Sequence, residues 1–168
     1  MAMFRAIREA RERVWVQTYT LEPDAIGMQV IKLLEEAAAR HCDVRLLYDS
    51  VGSYRMDEVH FERLRRLGGS VTAYQPIPTA PWRWSLSYFN RNHRKLLLVD
   101  DDLAFCGGMN LSADYAGSLV GGNGYFADVK VRDFARKEER KRNGESSVNV
   151  NRNFPAGSCA GPSSSRLA

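Results

Sequence analysis

An imidazole, an ammonium and a carboxamide stand at fixed offsets in one stretch of the chain, Asn92 to Asn110, which reads NHRKLLLVDDDLAFCGGMN. On an extended strand, residues i and i+2 face the same way, so His93 and Lys95 would project side by side. A short reversal at Asp101-Asp102 would bring Gly107, Gly108 and Asn110 back beside them. Such a site holds a nucleophile or proton carrier, a fixed cation and an amide. Two glycines add backbone N–H groups that can approach an anion closely. These groups suit phosphate chemistry without a metal. Histidine can attack phosphorus and form a covalent intermediate. Lysine and asparagine can hold the non-bridging oxygens, where electrostatic stabilisation is usually the largest catalytic contribution. Asp100 lies at odd spacing from Lys95, so a regular strand turns it to the opposite face, as a structural acceptor supporting the site.

These residues need strands and helices to hold them. Residues 3–13 have helical spacing, with Phe4, Ile7 and Ala10 or Arg11 on one side. Residues 14–20 (VWVQTYT) are β-branched and aromatic and read as a strand. Pro23-Asp24 is a stop-and-start signal. Asp24 can cap a helix over 25–40, whose apolar stripe is Ile26, Val30, Leu33, Leu34 and Ala37. Residues 43–49 (DVRLLYD) form a nearly continuous apolar run, the pattern of a strand buried on both faces. A second amphipathic helix is expected over 56–67, ended by Gly68-Gly69, and a third strand over 70–74. Strands follow at 95–100 and 103–108, and a last one at 125–132 after a glycine-rich loop. The alternation predicts an α/β fold, a mixed, largely parallel sheet flanked by helices. Residues 75–92 hold three prolines and four large aromatics and read as a long loop. Its aromatics either form a lid or a surface patch, or close the core.

The remaining composition excludes several classes. The chain has 168 residues, 44% hydrophobic and 26% charged, in the range of a soluble globular domain. Its apolar runs all fall short of the roughly 20 residues that span a bilayer, and the N-terminus is too charged for a signal-peptide core. Cys42, Cys106 and Cys159 show no CxxC spacing, which argues against a zinc site or a disulfide scaffold. Neither a metal nor a cofactor is expected. The net charge is +4, but residues 1–132 sum to +1 and residues 133–168 supply the other +3. The basicity thus belongs mainly to the end of the chain, and nucleic acid is the less favoured partner. Residues 133–168 give a charge run and then Ser/Asn/Gly/Pro-rich sequence. We expect a catalytic domain over 1–132 and a disordered polar, basic tail over 133–168.

His93-x-Lys95-x4-Asp100-x6-Gly107-Gly108-x-Asn110 resembles the HKD motif of the phospholipase D superfamily over its full length. The context is similar too. VWVQTYTLEPDAIGMQVIKLLEEAAAR, DVRLLYDSVGS and NRNHRKLLLVDDDLAFCGGMNLSADYAG resemble the N-terminal catalytic half of bacterial-type cardiolipin synthases. FADVKVR resembles the strand that follows, written W-R-D-x-H in that family, with the tryptophan replaced near Phe126 and the histidine near Lys130. The resemblance covers about residues 5–132. It implies phosphodiester cleavage through a phosphohistidine intermediate, without a metal, at a site that pairs two HKD motifs across a pseudo-twofold axis. Carried over, His93 is the nucleophile, Lys95 and Asn110 bind phosphate with Gly107 and Gly108, and Asp100 supports the catalytic set. The implied reaction is phosphatidyl transfer to a phosphatidylglycerol-like phospholipid, in phospholipid biosynthesis, by a protein held peripherally at the cytoplasmic face of a membrane, or at a mitochondrial one in a eukaryote.

The chain has one HKD motif, since His41 and His60 lack the following lysine. The second must come from a homodimer partner or from a C-terminal half missing here. The match stops near Arg132, as in a truncated, alternatively spliced or frame-shifted product. Two alternatives stay open: a homodimeric one-motif nuclease or phosphodiesterase, and an inactive half that only binds phosphate or a partner chain. Arg91, Arg94 and Lys95, beside Trp82, Trp84, Tyr88 and Phe89, form a local basic-aromatic patch that would suit anionic lipid head groups.

Overall fold

The computed structural model describes residues 2–76, 91–101 and 103–116, together with the backbone of 130–134. The elements run α1 (Ala2–Glu9), β1 (Arg13–Thr18), α2 (Ala25–Ala39), β2 (Asp43–Asp49), a 3-10 turn (Glu58–Phe61) leading into α3 (Glu62–Arg66), β3 (Ser70–Tyr74), β4 (Leu96–Val99), β5 (Leu103–Gly107), a 3-10 turn (Ala113–Tyr115) and β6 (Lys130–Phe134). Six strands form one mixed sheet in the order β3-β2-β1-β4-β5-β6. β1 pairs with β2, and β2 with β3, in parallel, as the helical crossovers require. From β1 outwards through β4, β5 and β6 the pairing is antiparallel. The segment from Asn92 to Asn110 therefore sits on an antiparallel meander attached to a parallel βαβαβ unit.

Alternation along the strands places the core. Val14 and Val16 of β1, Val44 and Leu46 of β2, and Leu97 and Val99 of β4 pack with Ile7 of α1, Val30 and Leu34 of α2, and Phe61 and Leu64 into one buried cluster. Trp15 and Leu47, one position out of phase, form a second cluster with Tyr74 and Leu98. β2 is buried along nearly its whole length, as its unbroken apolar run demands. Asp24 caps α2 as expected: its side chain accepts from the N–H groups of Ile26 and Gly27.

Three boundaries differ from the sequence expectation. α1 ends at Glu9, and Ala10, not Arg11, completes its buried stripe. The helix expected over 56–67 is split into a 3-10 turn and a five-residue α3, because Met56 lies buried ahead of it and Asp57 makes no capping bond. Its end does follow the expected signal: Gly68 has φ +91°, and Gly69 N–H reaches back to the Leu64 carbonyl at 3.0 Å. β6 starts at Lys130 and runs to Phe134, two residues beyond the expected domain limit. The glycine-rich loop, the aromatics of the long loop and the tail beyond Phe134 lie outside the described residues.

Candidate phosphate-binding site

The site forms where β1 ends and the chain turns through Tyr19 and Thr20 towards α2. The imidazole of His93 stacks on the Tyr19 ring, with centroids 4.0 Å apart and planes 17° from parallel. The Lys95 ammonium lies 5.5 Å from the centroid of the same ring and donates to the His93 carbonyl at 2.8 Å. The Asn110 carboxamide is buried and accepts from Thr20 N–H at 3.3 Å through Oδ1. Two consecutive residues thus gather the imidazole, the ammonium and the carboxamide. Leu96 pairs with Cys106, so Gly107 and Gly108 continue β5 where Lys95 and Arg94 precede β4. Both glycines are exposed, as is His93, so the rim of the site is open.

Asp100 lies elsewhere. It follows β4 at the end opposite His93, roughly 16 Å along the strand from Lys95 at about 3.3 Å per residue. Its φ is +51°, and its carboxylate accepts from the N–H groups of Arg11, Glu12 and Arg13 at 2.8–3.2 Å. It closes the turn between α1 and β1. Its grouping with the catalytic residues is corrected accordingly: Asp100 fixes the start of the strand whose far end carries Tyr19.

Sequence reasoning missed the residues that brace the site. Tyr19 is one, and only the strand ending next to a polar turn hinted at it. Ser53 is a second. It is buried, its hydroxyl donates to the Tyr19 carbonyl at 3.1 Å and accepts from Leu21 N–H at 2.9 Å. Gly52 lets this approach happen, since a Cβ there would stand 2.3 Å from the Tyr19 carbonyl oxygen. Asp24 is a third: beyond its cap, Oδ2 accepts from Ala113 N–H at 2.6 Å and ties the segment after Asn110 to α2. Backbone bonds from Leu111 N–H to Thr20 O and from Glu22 N–H to Leu111 O complete the seam.

Arg91 is corrected as a head-group contact. Its guanidinium is buried against Asp49, with Nη1 at 3.7 Å from Oδ1, and donates to the Gln75 carbonyl at 3.1 Å. Asp49 itself is fully buried and accepts from Val51 and Gly52 N–H, and from Asn92 N–H. A buried pair held by further hydrogen bonds of this kind sets geometry more than it adds stability. Here it holds the approach to His93. Trp82, Trp84, Tyr88 and Phe89 lie outside the described residues. Cys42 is buried, which pushes its thiol pKa up, and Cys106 is exposed; both are free thiols. Among the described residues no cluster of three His, Cys, Asp or Glu could hold a metal ion, and no helix is long and apolar enough to cross a membrane.

A mixed sheet in which a His-x-Lys segment leads into one strand beside a Gly-Gly-x-Asn return has the form of a phospholipase D-type half. Residues 3–118 match the family described as cardiolipin synthase, phospholipase D-like domain, and the chain belongs to that family. It is 33% identical over 132 residues to cardiolipin synthase 1 of Staphylococcus aureus, covering 77% of this chain and 26% of that protein. It is 36% identical over 116 residues to cardiolipin synthase A of Pseudomonas aeruginosa, covering 69% and 23%. The chain thus spans about a quarter of the length of these relatives. Among solved structures, NucT from Helicobacter pylori superposes with a TM-score of 0.57 at 17% identity, covering 85% of this chain and 81% of that one. The phospholipase D family member Nuc from Salmonella typhimurium gives 0.55 at 15% identity, covering 84% and 78%. At these identities the likeness is one of fold.

Proposed function

We propose that this chain is a phosphatidyl-transfer domain that acts through His93. A ring nitrogen of His93 attacks the phosphorus of an anionic phospholipid diester. A P–N bond forms as the P–O bond to the leaving alcohol breaks, and a second imidazole gives that alcohol its proton. An acceptor hydroxyl then attacks phosphorus. The new P–O bond forms, the P–N bond breaks, and the hydroxyl proton passes to the second imidazole, so both histidines return to their starting states. Lys95, Asn110 and the N–H groups of Gly107 and Gly108 hold the non-bridging oxygens. The second imidazole is the His93 of another copy, which meets the exposed rim of the site. A phosphatidylglycerol-like lipid is the favoured substrate, met by peripheral attachment at the cytoplasmic face of a membrane.

One observation carries this reading: Tyr19 and Thr20 touch His93, Lys95 and Asn110 at once. The named relatives favour a lipid over nucleic acid, as does the +1 charge of residues 1–132. The test is turnover of phosphatidylglycerol vesicles, and separately of single-stranded DNA, without added metal. We expect lipid turnover that falls at least about a thousandfold in His93→Ala, the scale of losing a covalent nucleophile. Equal activity in that variant, or turnover of DNA alone, would overturn the proposal.

A further inference from the structure

The rings of His93 and Tyr19 lie face to face, with centroids 4.0 Å apart and planes 17° from parallel. Neutral ring pairs usually stand roughly 4.5–7 Å apart, because their electron-rich faces repel. A cation within about 6 Å of such a face is attracted to it. The Lys95 ammonium also lies within that reach, 5.5 Å from the Tyr19 centroid. The Tyr19 ring is held in advance of any ligand. Its backbone carbonyl accepts from the Ser53 hydroxyl at 3.1 Å. A Cβ on Gly52 would stand 2.9 Å from Cδ1 of the ring, so on that side the ring rests against backbone. The stack covers the face of the imidazole. Its nitrogens lie along the ring edge, where phosphorus and a proton partner must approach.

We propose that Tyr19 is a positioning residue whose electron-rich face carries the positive charge that His93 takes on during transfer. The inference rests on the transfer reading above and adds to it the group that stabilises the covalent intermediate. As the P–N bond forms, the attacking nitrogen gives its electron pair to phosphorus. The P–O bond to the leaving alcohol breaks, and the second imidazole supplies the proton that the alcohol takes. The other nitrogen of His93 keeps its hydrogen, so the ring is cationic until the acceptor hydroxyl attacks and the P–N electron pair returns. That charge is spread over the imidazole, whose face Tyr19 covers. Lys95 meets the same ring, and its own charge is balanced by the non-bridging oxygens. A face fixed before the charge appears needs no reorganisation when the bond forms.

The test is a series of full-length chains with Tyr19→Phe as its reference. Phenylalanine bearing one, two and three ring fluorines then stands at position 19. Fluorine drains the electron-rich face but keeps the shape of the side chain, so the series reports charge and not folding. NMR of the His93 ring protons, shielded by the facing ring, checks the stack in each chain. The pH midpoint of those His93 signals should fall step by step with fluorine number, since the imidazolium loses its attraction to the face. Turnover of phosphatidylglycerol vesicles should follow the same order. With three fluorines kcat should be about three- to thirtyfold lower, the worth of one cation–π contact, with KM steady. Midpoints that stay level across the series overturn the inference whatever turnover does, and so does level kcat beside falling midpoints. Absence of lipid turnover in the unsubstituted chain would strike the transfer reading instead, while the midpoints still decide whether Tyr19 carries the charge.

Discussion

His93 and Asp100 sit at opposite ends of one four-residue strand, and they answer to different physics. His93 is exposed and held by ring stacking, whereas Asp100 is spent on three backbone N–H groups. Asp100→Ala should therefore lower stability by about 2–3 kcal/mol, since several N–H groups lose a charged acceptor. Denaturant unfolding measures this. Activity, assayed well below the melting temperature, should fall far less than in His93→Ala. A loss as deep as in His93→Ala with stability intact would return Asp100 to the reaction. Strand parity turned Asp100 away from Lys95 in the sequence, but β4 ends at Val99, and the turn at Asp100, with φ +51°, is what sets its direction. Its partners were not legible, because they lie 87–89 residues earlier in the chain. The role of Tyr19 was hidden for the same reason: its value is a ring surface offered to residue 93, and the polar turn after β1 marks only its position.

At the scale of elements, the site depends on how the end of β1 is clamped. The β1–α2–β2 alternation, the Asp24 cap and the hairpin of β4 and β5 were readable, since each follows from local periodicity or a capping residue. The clamp itself is tertiary and was not. Gly52 and Ser53, in the loop after β2, and Asp24, at the start of α2, meet the Tyr19–Asn110 seam from two different places in the fold. Gly52→Ala should force the Tyr19 carbonyl aside, at about 1–3 kcal/mol. It should also move the His93 ring signals in NMR, because Tyr19 carries that ring. A variant with unchanged stability and an unmoved His93 would show that the clamp does not reach the site. Asp24→Ala removes both the α2 cap and the bond to Ala113, so we expect about 1–3 kcal/mol lost in thermal unfolding. The split of the helix over 58–66 was beyond the sequence pattern, since Met56 competes for the core ahead of it.

For the whole molecule, the sequence given carries one His-x-Lys pair, and the proposed transfer uses two imidazoles. Light scattering should give twice the 19.0 kDa of a single chain for the active species. Activity per chain should fall on dilution as pairs separate. A monomer with undiminished turnover would remove the need for a partner. Trapping the phosphatidyl group on His93 decides whether that side chain is the nucleophile. The full chain would be mixed with phosphatidylglycerol, quenched at alkaline pH during turnover, digested and weighed by mass spectrometry. A phosphatidyl adduct is expected on the peptide that contains His93, absent from His93→Ala. Turnover with that peptide unmodified, or with the adduct on another residue, would contradict it.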